Sequence, residues 1–233
     1  MKSIVVLTGA GISRESGIPT FRDAGGLWEG HRIEDVASPE GFARDPALVH
    51  SFYNARRARL REVKPNAGHG ALVRLEREWP GPFLLVTQNV DDLHERAGSR
   101  KLLAMHGELR KARCASCGRV VAWDGDLYAG TPCPGCARAG GMRPHIVWFH
   151  EVPLHLDRIF AALAASDIFL AVGTSGNVYP AAGFVAHTPE RCRRVEVNLA
   201  ETEISRAFGE HRKGKSAELL PALVDELLAA RNL

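Results

Sequence analysis

The chain has 233 residues, of which 45% are hydrophobic, so it is long enough and apolar enough to form a substantial core. Its 30 basic and 27 acidic residues leave a formal charge of +3, an excess too small to indicate a nucleic-acid or membrane surface. No apolar run approaches the roughly 20 residues that a membrane span requires.

The first predicted element is a short apolar run, residues 3–8, which ends at glycine and is typical of a buried strand. This run is too short for a secretory signal, so we expect a cytoplasmic protein. Gly9 and Gly11 follow it, and such glycines let backbone amides approach a diphosphate. However, the third glycine of the usual dinucleotide fingerprint would fall on Arg14, and no acidic residue closes a second strand near position 30. The sequence therefore indicates a nucleotide loop but disfavours an ordinary hydride-transferring dehydrogenase.

Residues 30–66 are polar, arginine-rich and helical in pattern. Within them the sequence FYNARR puts Tyr53 and Arg56 three positions apart, on one face of a helix. A phenol beside a guanidinium can bind a carboxylate, which Arg holds in bidentate fashion. The alternative is a basic, solvated helix face, which would also include Arg57, Arg59 and Arg61.

A helical pattern over residues 67–79 leads to a second apolar run, residues 83–87, which we predict to be a strand. The sequence TQNVDDLHERAG begins where this strand ends, at the edge where open parallel sheets bind ligands. Asn89 and Asp91 lie at this corner, where Asp91 either caps the next helix or serves a ligand. His106, in the sequence MHGE, is either a packed histidine or a general base, because its pKa suits proton transfer near neutral pH.

Four of the five cysteines form two C-x2-C pairs separated by 15 residues, the spacing of a four-thiolate zinc site. Each pair lies on a tight turn that can aim two sulfurs at one tetrahedral ion. Two disulfides are the alternative, but they need an oxidising compartment that nothing in the sequence supports. Four thiolates fill the coordination shell, so we expect a structural zinc. The predicted ligands are Cys114, Cys117, Cys133 and Cys136, and Cys192 is expected to be a plain packed or surface thiol.

The rest of the chain again alternates helical patterns with apolar runs. In chain order these are a helix over 154–165, strands over 168–174 and 195–198, and a helix over 217–231. Strands that alternate with helices indicate an α/β protein with a parallel sheet covered by helices on both faces. Residues 30–66 and 107–146 break the alternation, so we expect them to form a small helical and zinc-binding domain inserted in two pieces. The large domain would then consist of residues 1–29, 67–106 and 147–233.

Taken together, these motifs resemble the sirtuin family. The match runs from about residue 4 to about residue 225, and FYNARR resembles the class III sirtuins, with the bacterial CobB type closest in pattern. The matching segments, in the family's order and spacing, are GAGIS (9–13), IPTFRD (18–23), TQNVDDLHERAG (87–98), MHGE (105–108), the two CxxC pairs, RPHIVWFHE (143–151), GTS (173–175) and VNL (197–199).

The resemblance implies removal of acyl groups, acetyl and succinyl or malonyl, from protein lysines. NAD is then the co-substrate, and nicotinamide and O-acyl-ADP-ribose are products. It also implies a Rossmann-like NAD domain and a small domain holding one structural zinc. Acyl-lysine proteins or peptides would bind as an extended strand in the cleft between the two domains, and no nucleic acid or membrane partner is implied.

By the same resemblance, His106 deprotonates a ribose hydroxyl, and Asn89 and Asp91 complete the catalytic set. Tyr53 and Arg56 bind the distal carboxylate of a succinyl-, malonyl- or glutaryl-lysine, and Ala24 leaves room for the longer chain. The implied NAD-binding residues are Gly9, Ala10, Gly11, Ile12, Ser13, Phe21, Arg22, Trp28, Gln88, Asn89, Val90, Asp91, Gly173, Thr174, Ser175, Asn198, Leu199 and Ser216. The implied substrate-binding residues are Ala24, Tyr53, Arg56, Val147, Trp148, Phe149, Gly176 and Val178.

Two positions depart from the family's pattern. His150 stands where the family usually has glycine, in a segment that pairs with the substrate backbone, so its imidazole either narrows or redirects the peptide groove or points to solvent. Ala200 stands where relatives often carry an acid, which puts a ribose contact in doubt. Two other functions stay open, namely ADP-ribosyl transfer to protein at the same site and a non-catalytic binding module. A pure binder does not need His106 together with Asn89 and Asp91.

Overall fold

The computed structural model describes residues 1–19, 27–28 and 30–230. Three predicted site residues, Phe21, Arg22 and Ala24, lie outside the described residues. The strands are β1 (Ile4–Thr8), β2 (Leu27–Trp28), β3 (His31–Arg32), β4 (Phe83–Thr87), β5 (Leu102–Ala104), β6 (Gly107–Cys114), β7 (Val120–Ala122), β8 (Met142–Ile146), β9 (Ile168–Val172), β10 (Arg193–Asn198) and β11 (Glu210–Lys213). The helices are α1 (Ala10–Arg14), α2 (Ile33–Val36), α3 (Pro39–Arg44), α4 (Pro46–Arg59), α5 (Ala67–Glu78), α6 (Leu93–Ala97), α7 (Leu156–Ala164) and α8 (Ser216–Ala229), with 3-10 turns at Ala181–His187 and Ser205–Ala207.

Six strands form one parallel sheet in the order β11-β10-β9-β1-β4-β5. From β1 the chain builds outward through β4 and β5 on one side. It then returns and builds outward through β9, β10 and β11 on the other. The strand order therefore reverses between β1 and β9, and open α/β sheets bind ligands at the carboxyl ends of the strands beside such a reversal.

The side chains of β1 alternate between two hydrophobic cores, as the pleat of a strand requires. Ile4 and Val6 belong to the core that includes residues of α5 and α8. Val5 and Leu7 belong to the core on the other face, which includes residues of α7 and the first 3-10 turn. The predicted fold class, a parallel sheet with helices on both faces, is confirmed.

Local hydrogen bonds explain where the main helices begin. The Asp45 carboxylate accepts a hydrogen bond from the Leu48 amide, and Pro46 occupies the first position of α4, where its missing N–H is no loss. Asn66 caps α5 by accepting from the Gly68 amide at 2.9 Å, while His69 Nδ1 accepts from the Asn66 amide at 3.3 Å.

A smaller layer packs beside the sheet. The strands β7, β6 and β8 form an antiparallel sheet, and α4 packs against β6 and β8. Phe52 and Tyr53 of α4 share a buried core with Leu109 of β6 and Ile146 of β8. The two stretches that interrupt the strand and helix alternation therefore come together in space. Across the described part of the chain, no helix combines the length and apolar character that crossing a bilayer demands.

Candidate active site

A cavity of about 590 Å³ lies at the carboxyl ends of the parallel strands. Its volume is in the range of sites for small ligands and cofactors. Its walls come from the segments that follow β1, β4, β9 and β10 and from the smaller layer. The wall segments following these strands lie within residues 9–14, 88–91, 173–179 and 198–203.

Glycines bring two of these segments into direct contact. The Gly11 amide donates to the Gly173 carbonyl at 2.8 Å, and a Cβ on Gly11 would lie only 2.6 Å from the Gly173 Cα. Gly173 itself has φ +60°, a left-handed conformation that favours glycine. The glycine loop is thus required for the close approach of two strand ends, and this approach shapes the floor of the cavity.

The corner after β4 is held by a network of buried hydrogen bonds. The Asn89 side-chain amide donates to the Gly9 carbonyl at 3.1 Å and to the Ser13 hydroxyl at 3.2 Å. The side-chain amide of Gln88 donates from Nε2 to the Thr174 hydroxyl at 3.0 Å. These bonds fix the corner against the loops that follow β1 and β9, so the polar side chains are positioned before any ligand binds.

Asp91 has both of the roles that the sequence left open, since it caps the next helix and also lines the cavity. Its carboxylate accepts a hydrogen bond from the Leu93 amide at 3.1 Å, at the start of α6, and the residue also lines the cavity. Burial raises the pKa of Asp91, and the hydrogen bonds from Leu93 and Ser13 oppose that shift. The carboxyl group therefore supports the local turn while facing the site.

His106 lies on the cavity wall with its tautomer defined by one contact. Its Nδ1 is 3.0 Å from the Gln88 carbonyl oxygen, and a carbonyl only accepts, so Nδ1 carries the proton. In the neutral ring Nε2 then keeps a lone pair. Burial lowers the pKa of His106, and the hydrogen bond to Gln88 opposes this shift. At neutral pH the residue is a neutral imidazole with one basic nitrogen, which is the form a general base needs.

Tyr53 and Arg56 both line the same cavity. Tyr53 is 0% exposed, and burial raises its pKa, so its hydroxyl stays protonated. The guanidinium carbon of Arg56 lies 4.2 Å from the centre of the Trp28 ring, an orienting cation–π contact. The pair thus presents a phenol donor and a guanidinium donor beside an apolar wall.

The basic-face interpretation is wrong for Arg57. This side chain is only 2% exposed, and its Nε donates to the Leu109 carbonyl at 3.0 Å. Its Nη1 donates to the Asn54 side chain at 2.8 Å and to the Gly125 carbonyl at 3.2 Å. Arg57, one member of a run of arginines in the sequence, therefore forms a buried cross-link between α4 and the zinc-binding segment.

The segment after β8 forms another part of the wall. Val147, Trp148 and Phe149 line the cavity. His150 has φ +70°, which explains why glycine suits this position, since glycine adopts left-handed conformations without steric cost. The His150 side chain is 75% exposed, with Nδ1 3.7 Å from Glu40 Oε2. The His150 side chain therefore points outward at the rim of the cavity. Ala200, the other position that departs from the family's pattern, lines the cavity wall.

Of the described residues predicted for catalysis, NAD binding or substrate binding, all but three line this one cavity. Ile12 is fully buried in the sheet core, Ser216 is buried at the start of α8, and Gly176 contributes no surface to the wall. The wall also contains residues that the sequence motifs do not predict. Leu109 was detectable, because it lies two residues after Gly107 on a strand whose alternate side chains point inward. Arg14, Ala37, Ile146 and Asn177 line the wall without a comparable local signal.

The four paired cysteines form a compact cluster in which all ligand sulfurs lie within 4.8 Å of one another. The Sγ atoms of Cys114 and Cys136, and those of Cys117 and Cys133, are 3.8 Å apart. A tetrahedron with Zn–S bonds of about 2.3 Å has S–S edges of about 3.8 Å, whereas a disulfide measures about 2.05 Å. The cluster therefore fits one structural zinc and not two disulfides. Cys192 is buried away from it.

Comparison with known proteins agrees with this geometry. The model of the Sir2 family matches residues 9–180. A protein of Bdellovibrio bacteriovorus described as an NAD-dependent protein deacylase is 57% identical over 229 residues, with 97% of each chain covered.

Solved structures give the same assignment. A Sir2 homologue in complex with NAD is 38% identical with a TM-score of 0.89, over 99% of this chain and 91% of that one. A Sir2 structure with the inhibitor EX-527, 2'-O-acetyl-ADP-ribose and a deacetylated p53 peptide is 28% identical with a TM-score of 0.81, over 96% and 93% of the two chains. The family match over residues 9–180 and the relative at 57% identity, together with the cavity and the cysteine cluster, show that this chain belongs to the Sir2 family, the sirtuins.

Proposed function

We propose that this sirtuin removes acyl groups from protein lysines and consumes NAD in doing so. The observation that carries the proposal is that one cavity brings together the glycine loops, the Asn89–Asp91 corner, His106 and the Tyr53–Arg56 pair. Relatives described as NAD-dependent protein deacylases, at 57% identity over nearly the whole chain, support it. So does the likeness to a Sir2 homologue that binds NAD.

The loops after the parallel strands form the NAD end of the cavity. Gly11 and Gly173 line this part of the cavity without side chains, so a diphosphate can approach their backbone closely. We assign Gln88, Asn89 and Asp91 to the nicotinamide and ribose region, and Thr174, Ser175, Asn198 and Leu199 to the phosphate and adenosine end. Phe21 and Arg22, outside the described residues, stay predictions for the loop that covers NAD.

His106 is assigned as the general base. NAD supplies the ADP-ribosyl group that accepts the acyl group, with nicotinamide as the leaving group. The Nε2 atom of His106 takes the proton from a ribose hydroxyl, because Nδ1 already donates a hydrogen bond to the Gln88 carbonyl. The neutral form that burial favours is the form that can do this.

Tyr53 and Arg56 are assigned to the acyl end of the cavity. Both side chains offer donors, and a protonated guanidinium offers no acceptor. A donor pair of this kind matches a carboxylate, which loses its water on entering an apolar tunnel and needs charged or polar replacements. We therefore propose that the enzyme accepts succinyl- and malonyl-type lysines as well as acetyl-lysine.

The proposed function also assigns the two domains, the path of the peptide and the compartment. We propose that the large domain comprises residues 1–29, 67–106 and 147–233, and that residues 30–66 and 107–146 form the small domain. The acyl-lysine peptide would lie between them as an extended strand, along Val147–Phe149 and Val178. Four free thiols in a metal cluster suit a reducing compartment, so we place the reaction in the cytoplasm.

The test is mass spectrometry of acetyl-lysine and succinyl-lysine peptides incubated with the enzyme, with and without NAD. We expect each peptide to lose its acyl mass only with NAD, and one nicotinamide to appear for each acyl group lost. Peptides that stay unchanged with NAD present would contradict the proposal. Radiolabelled NAD that transfers label to protein, without loss of acyl groups, would instead favour ADP-ribosyl transfer.

A further inference from the structure

The hydroxyl of Tyr53 has a defined hydrogen-bond partner far away in sequence. The indole Nε1 of Trp148 lies 3.0 Å from the Tyr53 oxygen, and this contact is buried. An indole N–H can only donate, so the Tyr53 oxygen accepts. The phenolic hydrogen lies in the ring plane on one of two sides, and the Trp148 N–H occupies one of them. The hydrogen is therefore turned to the other side.

Among the residues that the structure describes, the bond from Trp148 is the only hydrogen bond of the Tyr53 hydroxyl, so the phenolic hydrogen has no acceptor there. Tyr53 lies against the cavity wall and stays protonated, because burial raises its pKa. A buried donor without an acceptor is unfavourable. An anionic acceptor entering the cavity would satisfy it, whereas the methyl group of an acetyl chain would not.

Trp148 is itself held from two sides. Its backbone amide donates to Glu151 Oε2 at 2.9 Å, and the Arg143 guanidinium carbon lies 3.3 Å from the centre of its ring. Arg143 also forms a two-armed ion pair with Glu151, at 2.7 and 2.9 Å. Arg113 adds a further hydrogen bond to the same carboxylate. The indole is thus clamped, so the direction of its N–H is set before substrate binds.

We propose that Trp148 is a positioning residue for acyl selectivity: by donating to the Tyr53 oxygen it turns the Tyr53 hydroxyl hydrogen toward the distal carboxylate of the acyl chain. This inference rests on the proposed function, since it concerns how the same cavity chooses among acyl groups. Trp148 itself contributes its N–H to Tyr53, and the contact with the carboxylate is made by Tyr53 and Arg56.

The experiment is a double-mutant cycle on Trp148→Phe and Tyr53→Phe, with acetyl and succinyl peptides of one sequence. We expect Trp148→Phe to raise KM for the succinyl peptide by roughly 3- to 30-fold. The KM for the acetyl peptide should rise by a smaller factor, because Trp148 also lines the cavity, so the ratio of the two KM values should shift in favour of the acetyl peptide. In the Tyr53→Phe background, Trp148→Phe should have no further effect on the succinyl KM. Equal losses for both peptides, or two effects that simply multiply, would overturn the proposal.

Two additions keep the test sharp. Trp79→Phe is the matched control, because its buried indole donates to the Lys2 carbonyl at 2.8 Å outside the cavity. If Trp148→Phe fails to fold, replacing Trp148 by benzothienylalanine keeps the bicyclic shape and puts sulfur in place of the N–H, and the same KM change is expected. A wild-type enzyme that removes acetyl but not succinyl overturns both the proposed acyl range and this inference. If wild type removes both and the cycle shows no coupling, only the inference fails.

Discussion

Arg56 and Arg57 are neighbours in sequence and lie in different environments. Arg56 reaches the cavity and lies over Trp28, whereas Arg57 is buried against carbonyl oxygens of β6 and of the segment before β8. One helical position, about 100° of rotation, separates a side chain on the cavity wall from a structural cross-link. The residue type alone does not distinguish these two roles.

Replacing Arg56 by Met should change acyl preference and not general activity. The substitution keeps an apolar stem and removes the fork, so desuccinylation kcat/KM should fall by roughly 10- to 100-fold. Deacetylation should change little, because an acetyl group has no carboxylate. Both rates are measured on matched peptides. The control is Arg61→Met, an exposed arginine whose guanidinium contacts the Asp124 carbonyl. Parallel losses in both activities for Arg56→Met would show that Arg56 does not bind the acyl carboxylate.

The pH profile reports on His106. Its general-base form is neutral, and burial lowers its pKa from the ordinary value of 6.5. Activity should therefore fall as pH drops through a pKa below 6.5 and stay level above it. In His106→Ala, kcat should fall by roughly 100-fold or more and this acid limb should vanish. The measurement is kcat/KM against pH for both proteins. A limb centred above 7, or a mutant of near-normal activity, would argue against His106 as the base.

At the scale of elements, α4 connects the cavity to the zinc-binding segment. Tyr53 and Arg56 face the cavity, and Arg57 and Asn54 bind the segment that carries the cysteines. Asn54 Nδ2 donates to the Leu127 carbonyl at 3.1 Å, and the Leu127 amide donates back to Asn54 Oδ1 at 2.9 Å. The position of the side of α4 that lines the cavity is thus tied to the fold around the cysteine cluster.

Removing the Arg57 cross-link should destabilise the protein. Arg57→Met leaves the Leu109 and Gly125 carbonyls without their charged donor, and a hydrogen bond to a charged group contributes about 1.5–3 kcal/mol. We expect a loss of about 2 kcal/mol in the free energy of unfolding. Urea unfolding followed by circular dichroism measures it, with Arg61→Met on the exposed face as the comparison. If the two variants unfold at the same urea concentration, Arg57 is no cross-link.

The cysteine-bearing segment that α4 contacts is predicted to hold one structural zinc. Elemental analysis should find one zinc ion per chain, and Cys133→Ser should lose it and melt at lower temperature, because structural zinc contributes free energy of folding. Cys192→Ala removes a buried thiol outside the cluster and should retain the metal. Metal-replete, reduced protein that contains no zinc would contradict the assignment.

At the scale of the molecule, the cavity exists because the sheet reverses its strand order between β1 and β9. The segments that follow these strands meet through Gly9, Gly11 and Gly173. Helix α4 and the sheet of β6, β7 and β8 then form the side wall of the site. Ligand binding at this junction should therefore stabilise the whole fold.

ADP-ribose is the probe for that coupling. At 100 times its Kd, a ligand of the native state stabilises by about 2.7 kcal/mol, which should raise Tm by roughly 5–10 °C for a chain of this length. Gly11→Ala should abolish the shift, because its Cβ would lie 2.6 Å from Gly173 Cα. Gly70→Ala on α5 should keep the shift, since nothing lies within 4 Å of the added atom. Differential scanning calorimetry with and without ADP-ribose measures both. A full shift in Gly11→Ala would show that this contact is not needed for binding.

The parallel-sheet architecture and the cysteine cluster are predictable from the sequence, because both depend on local pattern. The apolar run at residues 83–87 coincides with β4, the run at 168–174 contains β9, which ends at Val172, and the cysteine spacing predicts the metal site. The edge strands β5 and β11 were missed. β5 has only three residues, and β11 reads EHRK, whose side chains are mostly exposed and give no apolar signal.

Contacts between residues distant in sequence become visible only in the folded chain. Nothing local to Arg57 shows that it is buried, and nothing near Tyr53 shows that Trp148, 95 positions away, directs its hydroxyl. The left-handed backbone at His150 is likewise a consequence of how the chain turns after β8. Composition and periodicity describe a residue and its neighbours along the chain, whereas burial, hydrogen-bond partners and backbone strain depend on elements that meet only when the chain folds.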